Sequence, residues 1–311
     1  MSLARKRPLA NITNHNFYIF MENPKMNKEA LKSIVEKFGG TYDEEIEGLL
    51  KKLNFLEDTC KYGKLMKSIL STNDKSNFLA DVFEASFAFQ FESSNLPLEY
   101  EVKQSEVNNS SIDFLRRMDS GISIYLEARQ LQQDSGTGQS IMDQLDRNKF
   151  YRISMNGDDE HDSIVRLQNV IVSKVQKKNG TPTKFLSINK DIINIVVIDV
   201  SDLILGTIDL YDCLLATHGD SYVEEIYRRG IFGLFQEPLS GYPSKIEEIA
   251  ESYEYIRGIL HGVLFLFKAK NSGLLNYDLE HYMVWNPSLV DQKLAKEVSD
   301  EINKAVPIKS N

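Results

Sequence analysis

The run INIVVIDV, residues 193 to 200, limits the fold more than any other stretch of this chain. It is apolar and β-branched with little alternation, the composition of a strand covered on both faces, and such strands sit in sheets flanked by helices. The stretches before it supply those helices. NKEALKSIVEKF, residues 27 to 38, places Leu31, Ile34, Val35 and Phe38 at i, i+3, i+4 and i+7 and stops at Gly39 and Gly40, which predicts a helix. A second opens at Asp43, read as its N-cap, and spaces Ile46, Leu49, Leu50 and Leu53 in the same way, with more helix from Lys64 to Leu70. The loop STNDKSN then leads into FLADVFEASFAFQFESS, a third helix rich in Phe.

From Leu98 the texture turns strand-like in LEYEVKQ, SSIDFL and ISIYLEARQ, each bounded by Asn, Ser, Asp or Gly. The loop QDSGTGQS follows, then two helical stretches over 139 to 152 and 160 to 178, then INIVVIDV. Helices around Ser221 to Arg229 and Ser244 to Arg257 precede two further strands, GVLFLF and YMVWNP, and the chain ends in a polar helix and tail. This order predicts an α/β fold with a mixed central sheet flanked by helices. It divides into an N-terminal helical region over 1–75, an α/β core over 76–290 and a polar helix and tail over 291–311.

Bulk properties narrow the function. The longest apolar run, ILHGVLFLF, is half the length of a membrane span and contains His261 and Gly262, so no membrane partner is expected. The basic N-terminus has no apolar stretch behind it, and the cytoplasm is the expected compartment. Cys60 and Cys213 lie far apart with no C-x-x-C and are read as reduced, buried thiols. A formal charge of -9 argues against a surface coated for nucleic acid, yet it leaves room for a local basic groove beside carboxylates that hold cations.

Chemistry concentrates in SSIDFLRRMDSGISIYLEARQ, residues 110 to 130. Side chains alternate along a strand, so Ser123, Tyr125, Glu127 and Arg129 share one face and Ile122, Ile124, Leu126 and Ala128 the other. A hairpin turn at Asp119, Ser120 and Gly121 would set Asp113 beside Glu127, since antiparallel neighbours lie about 5 Å apart. Two carboxylates that close repel, and a divalent cation with oxygen ligands relieves the repulsion. On the third helix Glu84 shares its stripe with Ala80, Phe87, Ala88 and Phe91, an apolar setting in which a charge needs a partner.

These residues together resemble the PD-(D/E)XK, or restriction-endonuclease-like, nuclease superfamily. Glu84 matches the acid on its first helix, Ile112-Asp113 its Pro-Asp position, and Glu127-Ala128-Arg129 its Asp/Glu-x-Lys triplet, over roughly residues 76 to 200. The resemblance implies phosphodiester hydrolysis, with Asp113, Glu127 and Glu84 holding Mg²⁺, for which Mn²⁺ would substitute. DNA is the expected substrate, and a homodimer is one arrangement it allows. Arginine stands where lysine is usual. Arg129 stays protonated and stabilises charge but shuttles protons poorly, so Lys174 on the following helix, or after it Lys103, is an alternative basic group. A catalytically inactive module on the same fold, binding nucleic acid or protein, is the rival reading.

Other groups carry less. Asp199, Asp202, Asp209 and Asp212 are read as strand-end turns and helix caps more readily than as a second metal cluster. SGTGQS lacks the phosphate-cradling G-x-x-x-x-G-K-[ST] pattern. The five histidines show no metal spacing, and His261 is read as a core residue. Gln130 could line the site, Tyr125 could cover the sheet, and Arg116, Arg117, Arg147, Lys149, Arg152 and Arg166 could form a basic rim.

Overall fold

A computed structural model describes residues 26–38, 43–103, 111–131, 157–177, 183–185, 189–201, 208–219, 230–232 and 254–310 of the 311. Outside them lie several of the elements expected above: the helix over 139–152, that around Ser221 to Arg229, the start of that from Ser244, and the loop QDSGTGQS.

Four helices open the described chain: α1 (Lys28–Lys37), α2 (Asp43–Asp58), α3 (Gly63–Ser71) and α4 (Lys75–Ser93). Asn27 caps α1 by accepting from the Ala30 N–H at 2.7 Å, and Asp74 caps α4 by accepting from Asn77 at 2.9 Å, each satisfying a first-turn donor that the helix leaves unpaired. Asp43, expected as a cap, is instead the first helical residue, one of three acids in a first turn whose dipole favours negative charge.

Six strands form one sheet in the order β1 (Leu98–Lys103), β2 (Ser111–Arg117), β3 (Ser123–Gln130), β4 (Ile192–Asp199), β5 (Gly262–Lys268) and β6 (Leu279–Trp285). β1, β2 and β3 run antiparallel, β3, β4 and β5 parallel, and β5 and β6 antiparallel. The sheet is thus mixed and helix-flanked, an α/β class. β4 stands near its middle between two parallel neighbours and is buried along nearly its whole length, which is why its sequence is a continuous apolar run.

The β2–β3 turn forms as expected. The Met118 N–H donates to the Ile122 carbonyl at 2.8 Å, and Gly121 takes a φ of +91°, a conformation that a Cβ would strain. Between β3 and β4 the chain crosses through α5 (Gly157–Val175); α6 (Leu210–Thr217) follows β4, and α7 (Gln292–Asn303) follows β6.

Two apolar clusters cover the two faces. One gathers Leu49, Phe83, Phe87, Leu126, Ile195 and Leu264, so the first helices pack with α4 on one continuous core. The other gathers Ile164, Ile171, Val196, Ile198, Phe265 and Leu215 under α5 and α6. The C-terminal helix is more than a polar appendage: Val298 and Ile302 are buried in the first cluster, and Glu301 accepts from Arg116 Nε at 3.0 Å and Nη2 at 2.7 Å. No helix among the described residues is long and apolar enough to cross a membrane.

Candidate functional site

The β2–β3 ladder pairs Arg117 with Ser123 and ends at Phe114 opposite Leu126. One residue further on, Asp113 and Glu127 would face each other, but here the pairing gives way. Ile112 packs with the α5-side cluster and Phe114 with the α4-side cluster, although strand alternation alone would put both on one face. β2 therefore turns at Asp113 and parts from β3, while β3 continues its ladder with β4 to Gln130 opposite Asp199. The split leaves the Ala128 N–H without a strand partner, and Asp113 Oδ2 accepts from it at 2.8 Å.

Into this split come groups from both sides of the sheet. Glu127 is fully buried, and its Oε1 receives two ammonium groups, Lys174 Nζ at 2.6 Å and Lys184 Nζ at 2.6 Å. Lys184 also lies 3.9 Å from Asp113 Oδ1. Lys174 projects from the last turn of α5. Lys184 is held beside it because Thr183 closes that helix end, donating its N–H to the Val175 carbonyl at 3.0 Å and its hydroxyl to the Lys174 carbonyl at 2.6 Å. From α4, Glu84 reaches toward Asp113 and accepts from the Tyr100 hydroxyl of β1 at 3.0 Å.

The electrostatics follow from this crowding. Desolvation, then repulsion from Asp113, pushes the Glu84 carboxyl up to about 8, although the residue as a whole is partly exposed. Desolvation and the neighbouring Glu127 push Asp113 up to about 6, against the opposing pull of Lys174, Lys184 and the Ala128 N–H. Burial works against the charged form of Lys184, but attraction to Glu127 and Asp113 outweighs it and raises its pKa. Among the described residues Glu127 Oε2 is buried with no hydrogen-bond partner.

The structure thus brings together Glu84, Asp113, Glu127 and Lys174. Arg129, two residues beyond Glu127, is exposed, and the cations bonded to the Glu127 carboxylate are lysines from the α5 end. Lys103 is exposed at the end of β1. Lys184 and Tyr100 were not expected at the site. Lys184 lies in an irregular polar stretch with no periodicity to place it, and Tyr100 reads from sequence only as a strand residue.

Several secondary expectations change as well. Arg116 is buried against Glu301, and Arg117 pairs with Glu99 at 2.5 Å, so neither forms a free basic rim; Arg147, Lys149 and Arg152 lie outside the described residues, as does Asp202. Gln130 is buried and donates to Asp199 Oδ2 at 3.2 Å. Asp199 also accepts from the Ser201 N–H at 2.9 Å, and burial raises its pKa. Asp209 and Asp212 form a capping box on α6. His261 is buried and accepts at Nδ1 from the Asn194 N–H at 3.1 Å. Of the cysteines Cys213 is buried, but Cys60 is exposed, carried out at a φ of +60° just beyond α2.

No family model, no curated protein and no solved structure matches this chain.

Proposed function

We propose that the chain is a Mg²⁺-dependent endonuclease of the restriction-endonuclease-like kind, hydrolysing DNA phosphodiester bonds. One observation carries the reading: the sheet splits where two carboxylates of adjacent strands meet, and Lys174 and Lys184 stand beside them. Hard oxygen donors suit Mg²⁺ or Mn²⁺, and the buried Glu127 Oε2, without a hydrogen-bond partner among the described residues, is an acceptor such an ion could use. Among the described residues no three His, Cys, Asp or Glu side chains are gathered closely enough to hold a metal between them. Mg²⁺ is commonly bound through one or two carboxylates, with water and phosphate oxygens completing its shell, so Asp113 and Glu127 would suffice.

A bound dication would polarise the phosphate and lower the pKa of an attacking water. The chain's own part is positional. Ala128 fixes Asp113 through its N–H, Tyr100 orients Glu84, and Glu84, whose carboxyl is raised by desolvation and by Asp113, can donate a hydrogen bond when protonated or act as base once its proton leaves. Lys174, bonded to Glu127 at 2.6 Å, supplies charge stabilisation at the site.

A second reading has its own support. Both lysines already satisfy Glu127 Oε1, as they would in a buried ion network on a catalytically inactive module that binds nucleic acid or protein. The two separate in one experiment: nicking of supercoiled plasmid and cleavage of single-stranded DNA with Mg²⁺ or Mn²⁺, for the wild type, Asp113→Ala and Glu127→Ala. Metal-dependent cleavage lost in both variants supports the hydrolase. Cleavage that survives both removes this site, and none with any metal or substrate favours the inactive module.

A further inference from the structure

The two lysines of the split are not equivalent. Lys174 bonds Glu127, whereas Lys184 stands between the two strand carboxylates, 2.6 Å from Glu127 Oε1 and 3.9 Å from Asp113 Oδ1. A dication shared by the same two carboxylates would bind their oxygens at about 2.1 Å, and an ammonium in that gap cannot stay there with it. Charge counting gives the same result. Asp113 and Glu127 are matched by Lys174 and Lys184, so a dication added without any departure leaves the largely buried crevice with two surplus positive charges.

Lys184 is the one placed to leave. Its side chain is 30% exposed against 18% for Lys174. Its backbone is pinned on both sides, by the two Thr183 hydrogen bonds to the α5 end and by the buried Phe185, so the ammonium can swing on its four-carbon stem while the chain stays in place.

We propose that Lys184 is the internal counter-ion of the Asp113–Glu127 pair, that the divalent ion taken up by the site displaces its ammonium, and that the released ammonium receives a phosphate oxygen of the substrate. The proposal rests on the hydrolase reading and adds a regulation to it. The cation that binds phosphate is withheld until the metal arrives, so metal and phosphate bind with positive cooperativity.

Calorimetry on the full chain tests this with Mn²⁺, for the wild type, Lys184→Met and Glu127→Gln. Losing the competing ammonium should tighten Mn²⁺ binding about tenfold in Lys184→Met, and Glu127→Gln should lose Mn²⁺. Equal or weaker Mn²⁺ binding by Lys184→Met overturns the displacement alone. Absence of Mn²⁺ binding from both the wild type and Lys184→Met removes the metal site itself, and the hydrolase reading with it. In the same instrument inorganic phosphate should bind the Mn²⁺-loaded wild type more tightly than the metal-free protein, a gain that Lys184→Met abolishes; a gain that persists in the variant overturns the cooperative role. A measurement on the unaltered chain covers the case of a variant that does not fold. Acylation by an amine-directed reagent, located by mass spectrometry, should increase at Lys184 when Mn²⁺ is added and stay constant at Lys174. Unchanged Lys184 labelling at saturating Mn²⁺ overturns the proposal.

Discussion

Asp113 Oδ2 accepts a hydrogen bond from the backbone N–H of Ala128 at 2.8 Å, so that a side chain takes over where strand pairing between β2 and β3 ends. This one contact has two functions that mutation can separate. It satisfies a donor on a buried strand residue, and it holds the carboxylate at a set angle inside the split.

Asp113→Asn keeps an oxygen that can accept from Ala128, whereas Asp113→Ala leaves the donor unmet. Removing a partner from a buried donor costs about 1–3 kcal/mol. Denaturant unfolding should therefore show Asp113→Ala destabilised by about that much and Asp113→Asn within about 1 kcal/mol of wild type, while both abolish metal-dependent cleavage. Equal destabilisation of the two would show that charge, and not the hydrogen bond, is what the fold uses.

The pH dependence of stability should bear the sign of Glu84. Its carboxyl is raised from 4.5 to about 8, so the folded chain keeps a proton that the unfolded chain releases. The resulting stabilisation is complete below 4.5 and is lost as pH rises through about 8. Asp113, raised from 3.8 to about 6, adds a loss in the same direction over a more acidic window. Thermal melts followed from about pH 5 to about pH 9 should show falling Tm, with a visibly smaller fall in Glu84→Gln. A slope that Glu84→Gln leaves intact would place the titrating group elsewhere.

Arg129 and Lys174 should behave oppositely. Arg129 is exposed, and Arg129→Ala should change stability by no more than about 0.5 kcal/mol and leave cleavage within a few-fold. Lys174→Met removes an ammonium from a fully buried carboxylate and should lower cleavage on the order of a hundredfold. Rates measured for the two variants side by side decide which basic group serves the site.

What could be read without coordinates depended on repetition. The helical spacings from Leu31 to Phe38, the Phe-rich α4 and the unbroken apolar β4 are periodic or continuous signals, and each element stands where it was expected. Glu84 was legible as an acid on an apolar helix stripe, and Asp113 and Glu127 as acids that a hairpin turn sets side by side. Lys184 was not, since its place follows from how Thr183 ends α5, and no pattern in TPTKF announces that. The exposure of Arg129 was equally hidden. Alternation assigns it a face of the sheet, but whether that face is covered at its position depends on where the neighbouring elements stop.

The clamp between Arg116 and Glu301 should be a main stabiliser of β2. Arg116 is 8% exposed and Glu301 6% exposed, and removing the carboxylate strands a buried guanidinium. Glu301→Ala should cost about 3–5 kcal/mol, read by denaturant unfolding, and Arg116→Ala less, since Lys304 Nζ still meets Glu301 Oε2 at 2.8 Å. Additive losses in the double variant would show that the two do not act on each other.

That clamp also bears on synthesis. The two partners are 185 residues apart, so a ribosome adding 5–20 residues per second makes Glu301 roughly 10–40 s after Arg116. For that interval the strand bearing Asp113 lacks its brace, and the nascent polypeptide holds a buried-to-be guanidinium with no anion to meet it. Assembly of the carboxylate cleft thereby waits on residues made 185 positions downstream of its own strand.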